Sequence, residues 1–248
     1  MKNADLSIYI ATHEQKITVK DSYHIPIQTG AALSDKNIAI IKDDTGDNIS
    51  SRNQSFSELT ALYWIWKNST SQYVGLSHYR RYFMIDTNDI ISYLYRYDII
   101  VPPAYFFRKS LYQEYVQYHN KDDLDLLIRY LQIAYPEMLP TFKHILSQNR
   151  LIPYNMFITQ KQLLNTYCNW LFPILFYLEK EIELAQRDTY QKRVFGFLSE
   201  RLFTLYLAYT KPRIITCPVM IPEKSSILGA IKYSLGKEFN RVYFHIIK

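Results

Sequence analysis

Six glycines in 248 residues leave little room for the loops that announce the common nucleotide enzymes. There is no Gly-x-x-x-x-Gly-Lys segment and no Gly-x-Gly-x-x-Gly segment. Neither a P-loop kinase nor a classical dinucleotide oxidoreductase is therefore supported. The two cysteines, Cys168 and Cys217, lie far apart and lack metal-ligand spacing. This excludes a disulfide framework and a structural zinc site and points to a reducing compartment. The most apolar run, Trp170 to Leu178, contains Pro173 and is far too short to cross a bilayer. Asp5 stands where a signal peptide would need its apolar centre, so a cytoplasmic protein is expected. Acidic residues are the scarcer charge, 23 against 29 Lys and Arg, for a net charge of +6. Such a balance suits a polyanionic partner, whether nucleic acid, anionic lipid or a nucleotide. The basic residues are spread along the chain instead of forming a stripe, and the expectation is of no nucleic acid.

Aromatic residues, in contrast, are plentiful, with 23 tyrosines. Many recur at helical spacing, as amphipathic packing residues with a polar tip do, and some can line a sugar cleft. Apolar runs of strand length occur at 6–11, 38–41, 73–76, 99–101 and 155–158, each bounded by turn or polar residues. Between Phe56 and Trp66, the residues Phe56, Leu59, Leu62, Tyr63 and Trp66 form one stripe of a helix. Ser55 and Glu58 have the spacing of a capping box at its start. Further helices are expected around 88–96, 111–118, 122–134, 137–147, 160–182 and 189–209. Strands alternating with helices over the first hundred residues predict an α/β fold, a mainly parallel twisted sheet flanked by helices, with a mostly helical C-terminal half. The expected layout is an α/β core over about 1–104, a helical part over 105–220, and a tail over 221–248. In the tail, a stripe through Ile227, Ile231, Leu235, Phe239, Val242 and Ile246 is backed by Lys237, Arg241 and Lys248. Residues 224–248 can therefore lie on an anionic membrane surface or pack on the domain.

Four segments can carry chemistry. Tyr73 to Phe83 runs an apolar strand into His78, Arg80 and Arg81 with no acidic residue. Ligands of open α/β sheets sit outside the carboxyl ends of the strands, where these cations would meet phosphate oxygens. Thr12 and His13 end the first strand in the same manner. In 43–50, Asp43, Asp44, Asp47 and Asn48 surround Gly46. These are oxygen ligands for a hard cation such as Mn or Mg, and equally the residues of a turn. Finally, Arg201 falls on the buried stripe of a helix beside Glu200. It must meet an acidic side chain, a bound anion or solvent.

Taken in order, the segments 10–13, 26–30, 43–50, 58–67, 75–83, 155–158 and 196–202 resemble a bacterial glycosyltransferase family. It is the one catalogued as domain of unknown function 4422, found in capsular and exopolysaccharide gene clusters. The resemblance implies a GT-A-like fold and transfer of a hexose, galactose favoured, from a nucleotide sugar such as a UDP-hexose. The implied acceptor is lipid-linked or a growing saccharide, at the inner membrane face. It would place Thr12 and His13 near the nucleotide, Asp44 and Asn48 near base, ribose or metal, and His78, Arg80, Arg81 and Arg201 near the diphosphate. Glu200 and Asp47 would be the carboxylates able to deprotonate an acceptor. His78 to Arg81 occupies the place where such enzymes commonly carry a metal-binding Asp-x-Asp, which leaves Asp43, Asp44 and Asp47 as the metal ligands if there are any. The rival readings are a noncatalytic module for anionic lipid or nucleic acid, and a sugar-phosphate transferase.

Overall fold

A computed structural model describes residues 5–15 and 22–220. The tail stripe with Lys237, Arg241 and Lys248 lies outside the described residues. In chain order the elements are β1 (Leu6–Thr12), β2 (His24–Gln28), β3 (Ile41–Lys42), α1 (Asn53–Phe56), α2 (Leu59–Asn68), β4 (Tyr73–His78), β5 (Tyr82–Phe83), α3 (Thr87–Arg96), β6 (Ile99–Val101) and β7 (Tyr105–Phe106). They continue with α4 (Leu111–Tyr118), α5 (Lys121–Ala134), α6 (Leu139–Ser147), β8 (Arg150–Leu151), β9 (Phe157–Gln160), α7 (Lys161–Glu181), α8 (Val194–Thr210), β10 (Ile214–Thr216) and β11 (Val219–Met220).

Seven strands form the central sheet in the order β10-β6-β9-β4-β1-β2-β3. All neighbours are parallel except β9, which runs antiparallel to both β4 and β6. The fold is thus the expected mainly parallel sheet flanked by helices. Its strands, however, are not confined to the first 104 residues. β9 and β10 enter from the helical half, and β9 lies between β4 and β6.

β1 shows why the sheet is buried on both faces. Leu6 and Ile8 pack with Ile90 and Leu94 of α3 on one side. Tyr9 and Ala11 join the larger core on the other, with residues of α2, α7 and α8. A continuous apolar run is the sequence consequence of such two-sided burial. β2 escapes that pattern because it contains Pro26, paired in register with Ile10. Pro lacks a donor for the ladder. β3 covers only Ile27 and Gln28, so Pro26 has no outer neighbour to bond.

The helix expected across Phe56 to Trp66 is broken. α1 ends at Phe56, Ser57 takes φ 51° and ψ −129°, and α2 begins at Leu59. Ser55 Oγ donates to the Arg52 carbonyl, and Glu58 makes no cap hydrogen bond. The expected capping box is therefore not formed. Beyond the break, Lys161 Nζ donates to the carbonyls of Ile65 and Trp66 and closes the C-terminal turn of α2.

In β4, Gly75 sits opposite Ile158 of β9 and Ile8 of β1. A Cβ there would lie 3.0 Å from Ile158 Cγ1, 3.1 Å from the Phe157 carbonyl oxygen and 3.3 Å from Ile8 Cγ2. The backbone oxygen cannot yield without moving β9. Gly75→Ala is expected to destabilise the protein by about 1–3 kcal/mol, as overpacking does. A lowered midpoint of urea unfolding measures it, and an unchanged midpoint contradicts it.

Candidate functional site

A cleft of about 730 Å³ opens at the carboxyl ends of β1, β2 and β4. The chain proceeds from β1 outward to β2 and β3, then returns to place β4 on the other side of β1. That reversal is the topological switch point at which α/β sheets hold ligands. Ala11, His13 and Thr29 line the cleft from β1 and β2, and His78, Tyr79, Arg80 and Arg81 from β4. The rest of the wall is Asn53, Gln54, Ser57 and Glu58 at the helix break and Thr189, Lys192 and Arg193 before α8.

The end of β4 is a tight turn. His78 N–H donates to the Arg81 carbonyl at 3.2 Å and Arg81 N–H to the His78 carbonyl at 2.9 Å. Tyr79 N–H bonds the Ala11 carbonyl, tying the turn to β1, and the Tyr82 hydroxyl donates to the Tyr79 carbonyl. The two arginines then diverge in role. Arg80 lies over the Tyr79 ring and donates to Glu14 at 3.2 Å. Arg81 stacks 4.4 Å from the centroid of Tyr154 and forms no ion pair among the described residues. Its Nε is buried without a hydrogen-bond partner. Arg193 donates from Nε to Ser57 Oγ, and Lys192 adds a fourth cation to the lining.

Against these cations stands, among the described residues, one lining carboxylate, Glu58. Asn155 Nδ2 donates to its Oε1 at 2.6 Å. Asn155 is only 2% exposed, and it follows Tyr154 in the loop between β8 and β9. Four non-glycine residues have positive φ among those described, and three of them meet here: Ser57 at 51°, Tyr154 at 76° and Asn155 at 52°. Strain of this kind persists only where surrounding structure holds it, and it clusters at functional sites. His78 supplies part of that hold, its Nε2 lying 2.7 Å from the Tyr154 carbonyl. Since a carbonyl only accepts, the ring proton sits on Nε2 and Nδ1 carries the lone pair. Burial lowers the His78 pKa from the ordinary imidazole value, Arg81 and Arg193 add to the effect, and Glu58 opposes it.

His13 and the His78 to Arg81 turn are brought together in the cleft. His13 packs edge-on to Tyr79 with centroids 4.8 Å apart. Thr12 is buried beneath them, its hydroxyl donating to the Glu14 carbonyl and accepting from the Glu14 N–H. Asp43 is fully buried and accepts from the N–H groups of Gly30 and Ala31 and from Ser50 Oγ. Asp44 is exposed. Asp47 accepts from the Tyr63 hydroxyl and faces Lys67, and Asn48 closes its own turn by bonding Gly46 and Ser50. None of Asp43, Asp44, Asp47 and Asn48 lines the cleft. Among the described residues no three His, Cys, Asp or Glu side chains converge as metal ligands.

Glu200 and Arg201 lie behind the cleft wall. Glu200 Oε1 accepts from Tyr154 N–H at 2.6 Å, and its Oε2 is 3.3 Å from Arg201. Arg201, 2% exposed, also donates to Glu114 at 2.7 Å and to the Phe197 carbonyl. The partners demanded by an arginine on a buried stripe are thus two carboxylates, and Glu200, the carboxylate expected to take an acceptor proton, accepts the Tyr154 N–H. Burial raises the Glu200 pKa, while Arg201 and the Tyr154 N–H oppose the rise.

Residues that sequence reasoning missed are Glu58 as a cleft carboxylate, Asn155 as its holder, and Lys192 with Arg193. The last pair had a legible signal, two cations abutting an apolar helix start. Glu58 was masked by the capping-box spacing.

The family described as "Domain of unknown function (DUF4422)" matches residues 7–211. The apo structure of the bifunctional glycosyltransferase WbbM superposes with a TM-score of 0.81 at 27% identity. The match covers 88% of this chain and 45% of WbbM, so the chain spans less than half of that protein's length. No curated protein sequence matches.

Behind Lys192 and Arg193, His119 stacks on Phe197 with ring centroids 4.1 Å apart. Burial, then the Arg201 charge, lowers its pKa to about 4. The unfolded chain binds that proton near pH 6.5, so it holds more protons than the folded protein between about pH 6.5 and 4. The stability of the neutral stacked ring is present above that window and lost as pH falls through it. A series of melting temperatures from pH 7 to 4 should fall more steeply for the native protein than for His119→Phe. Parallel curves would contradict the assignment.

Proposed function

This chain belongs to the DUF4422 family, and from that membership, the basic cleft and the likeness to a glycosyltransferase we propose that it is a nucleotide-sugar-dependent glycosyltransferase. The observation that carries the reading is the convergence of Arg80, Arg81, Lys192 and Arg193 on one cleft at the sheet's switch point, with a single carboxylate beside them among the described residues. A sugar nucleotide departs as a diphosphate, and preorganised cations stabilise the charge that develops on it. Arg81 is the best placed, since its planar fork suits phosphate oxygens and no carboxylate of the described protein competes for it.

The finer features follow from the sequence resemblance: a hexose donor, galactose favoured, carried by UDP, and a lipid-linked or saccharide acceptor in capsular or exopolysaccharide synthesis. Basic residues of the 224–248 segment would draw the protein to anionic lipid at the inner membrane face. No helix among the described residues is long and apolar enough to cross a membrane. Cations gathered in a concave cleft favour a small anionic ligand over the extended polyanion of the nucleic-acid reading. Tyr79 and His13 at the cleft mouth offer aromatic faces to a sugar.

Screening nucleotides and nucleotide sugars for thermal stabilisation tests the proposal, because a ligand bound only by the folded state raises its melting temperature. A nucleoside diphosphate should stabilise the protein, and failure of every nucleotide in the panel would remove the reading. Arg81→Ala should weaken diphosphate binding by about 2 kcal/mol, roughly thirtyfold, without lowering the melting temperature of the free protein. Arg80→Ala should cost less, since Arg80 already engages Glu14. Because cations stand where a metal motif is common, turnover should persist in EDTA. Loss of all turnover on chelation, restored by manganese or magnesium, would contradict that expectation.

A further inference from the structure

We infer that Glu58 is the general base of the transfer reaction, held for that task by Asn155 across the helix break at Ser57. The inference rests on the transferase reading above. Glu58 is the one carboxylate lining the cleft among the described residues. Its Oε1 accepts from Asn155 Nδ2 at 2.6 Å, and among the described residues no donor reaches Oε2. One oxygen is thus fixed and the other is left for a ligand. The break is what brings it there. Had Ser55 to Trp66 formed one capped helix, Glu58 would have bonded backbone donors at the helix start. Instead Ser57 turns at φ 51°, and Glu58 enters α2 with its side chain turned to Asn155, itself at φ 52°. Two residues of positive φ, Ser57 beside it in the chain and Asn155 across the bond, thus flank this carboxylate.

The other acids of the neighbourhood are engaged. Glu14 pairs with Arg80, Glu200 with Tyr154 N–H and Arg201, and Glu114 with Arg201. His78 is the competing base, but its Nε2 proton is fixed on the Tyr154 carbonyl and burial among cations weakens its basicity.

In the step we assign, an acceptor hydroxyl oxygen attacks the anomeric carbon and forms the new glycosidic bond. The bond from that carbon to the diphosphate breaks, and its electron pair leaves on the diphosphate oxygen beside the cations. The hydroxyl proton passes to Glu58 and then to solvent. A single displacement with a base inverts the anomeric configuration.

Water serves as the acceptor in a test that needs no natural acceptor. The full chain and Glu58→Gln are compared for binding of UDP, GDP, ADP and dTDP, and for hydrolysis of the corresponding nucleotide hexoses. Hydrolysis by Glu58→Gln should fall by about 100-fold or more, in the range for a lost general base. Affinity for the diphosphate should be unchanged or tighter, since the substitution removes a negative charge from a cationic cleft. Glu58→Asp should retain part of the turnover, and the sugar first released should show the inverted anomer by NMR. Turnover within threefold of native in Glu58→Gln, or release of the retained anomer, would overturn the assignment. So would joint loss of binding and turnover, which marks a structural residue. Native protein that binds none of the four diphosphates would defeat the transferase reading itself, and with it this inference.

Discussion

The loop residues Tyr154 and Asn155 hold the molecule's two halves together. Glu200 of α8 takes the Tyr154 N–H, His78 of β4 takes its carbonyl, and Glu58 at the head of α2 takes the Asn155 amide. Both residues adopt left-handed backbone, which disfavours L side chains by roughly 1 kcal/mol or more each. Three polar contacts offset that cost, two of them to carboxylates and so stronger than neutral bonds. Without the loop in this shape Arg81 would lose the ring beneath it and Glu58 its amide.

Charge is sorted around this loop by depth. Behind the wall, carboxylates meet partners that leave them no spare oxygen for a ligand: Asp43 has three donors, and Asp123 receives both terminal nitrogens of Arg187. At the cleft surface the balance reverses, and cations outnumber acids. Burying a charge costs several kcal/mol unless it is paired or hydrogen-bonded, which is why Asp43 is met by three donors and Asp123 by an arginine. The surplus that gives the chain its basic character can then gather where solvent or a ligand meets it.

Much of this was legible in the sequence, for identifiable reasons. β1, β4 and β6 read clearly because both faces are buried and the apolar run is unbroken. Arg201 announced a buried ion pair because a charge inside an apolar stripe has few alternatives, and it has two acidic partners. β2 was hidden by Pro26, which is tolerated because its outer neighbour is only two residues long. The Asp43 turn carried the composition of a cation site, and its carboxylate accepts from the N–H groups of Gly30 and Ala31, at the turn that follows β2. The helix break had no local signal. Ser57 is not a glycine, its neighbours fit a capping box, and its side chain meets Arg193 and Gly196, far along the chain.

The placement of β9 also governs how the protein can form. β4 and β6 are made early and share no edge until β9, synthesised after five further helices and strands, slides between them antiparallel to both. Such late, non-local pairing leaves two strand edges open during synthesis, a state prone to mispairing and slow to resolve. The first half of the chain therefore cannot mature as an independent unit. Closure of the sheet and completion of the cleft become one cooperative event, because the strand that seals the sheet begins two residues after Asn155.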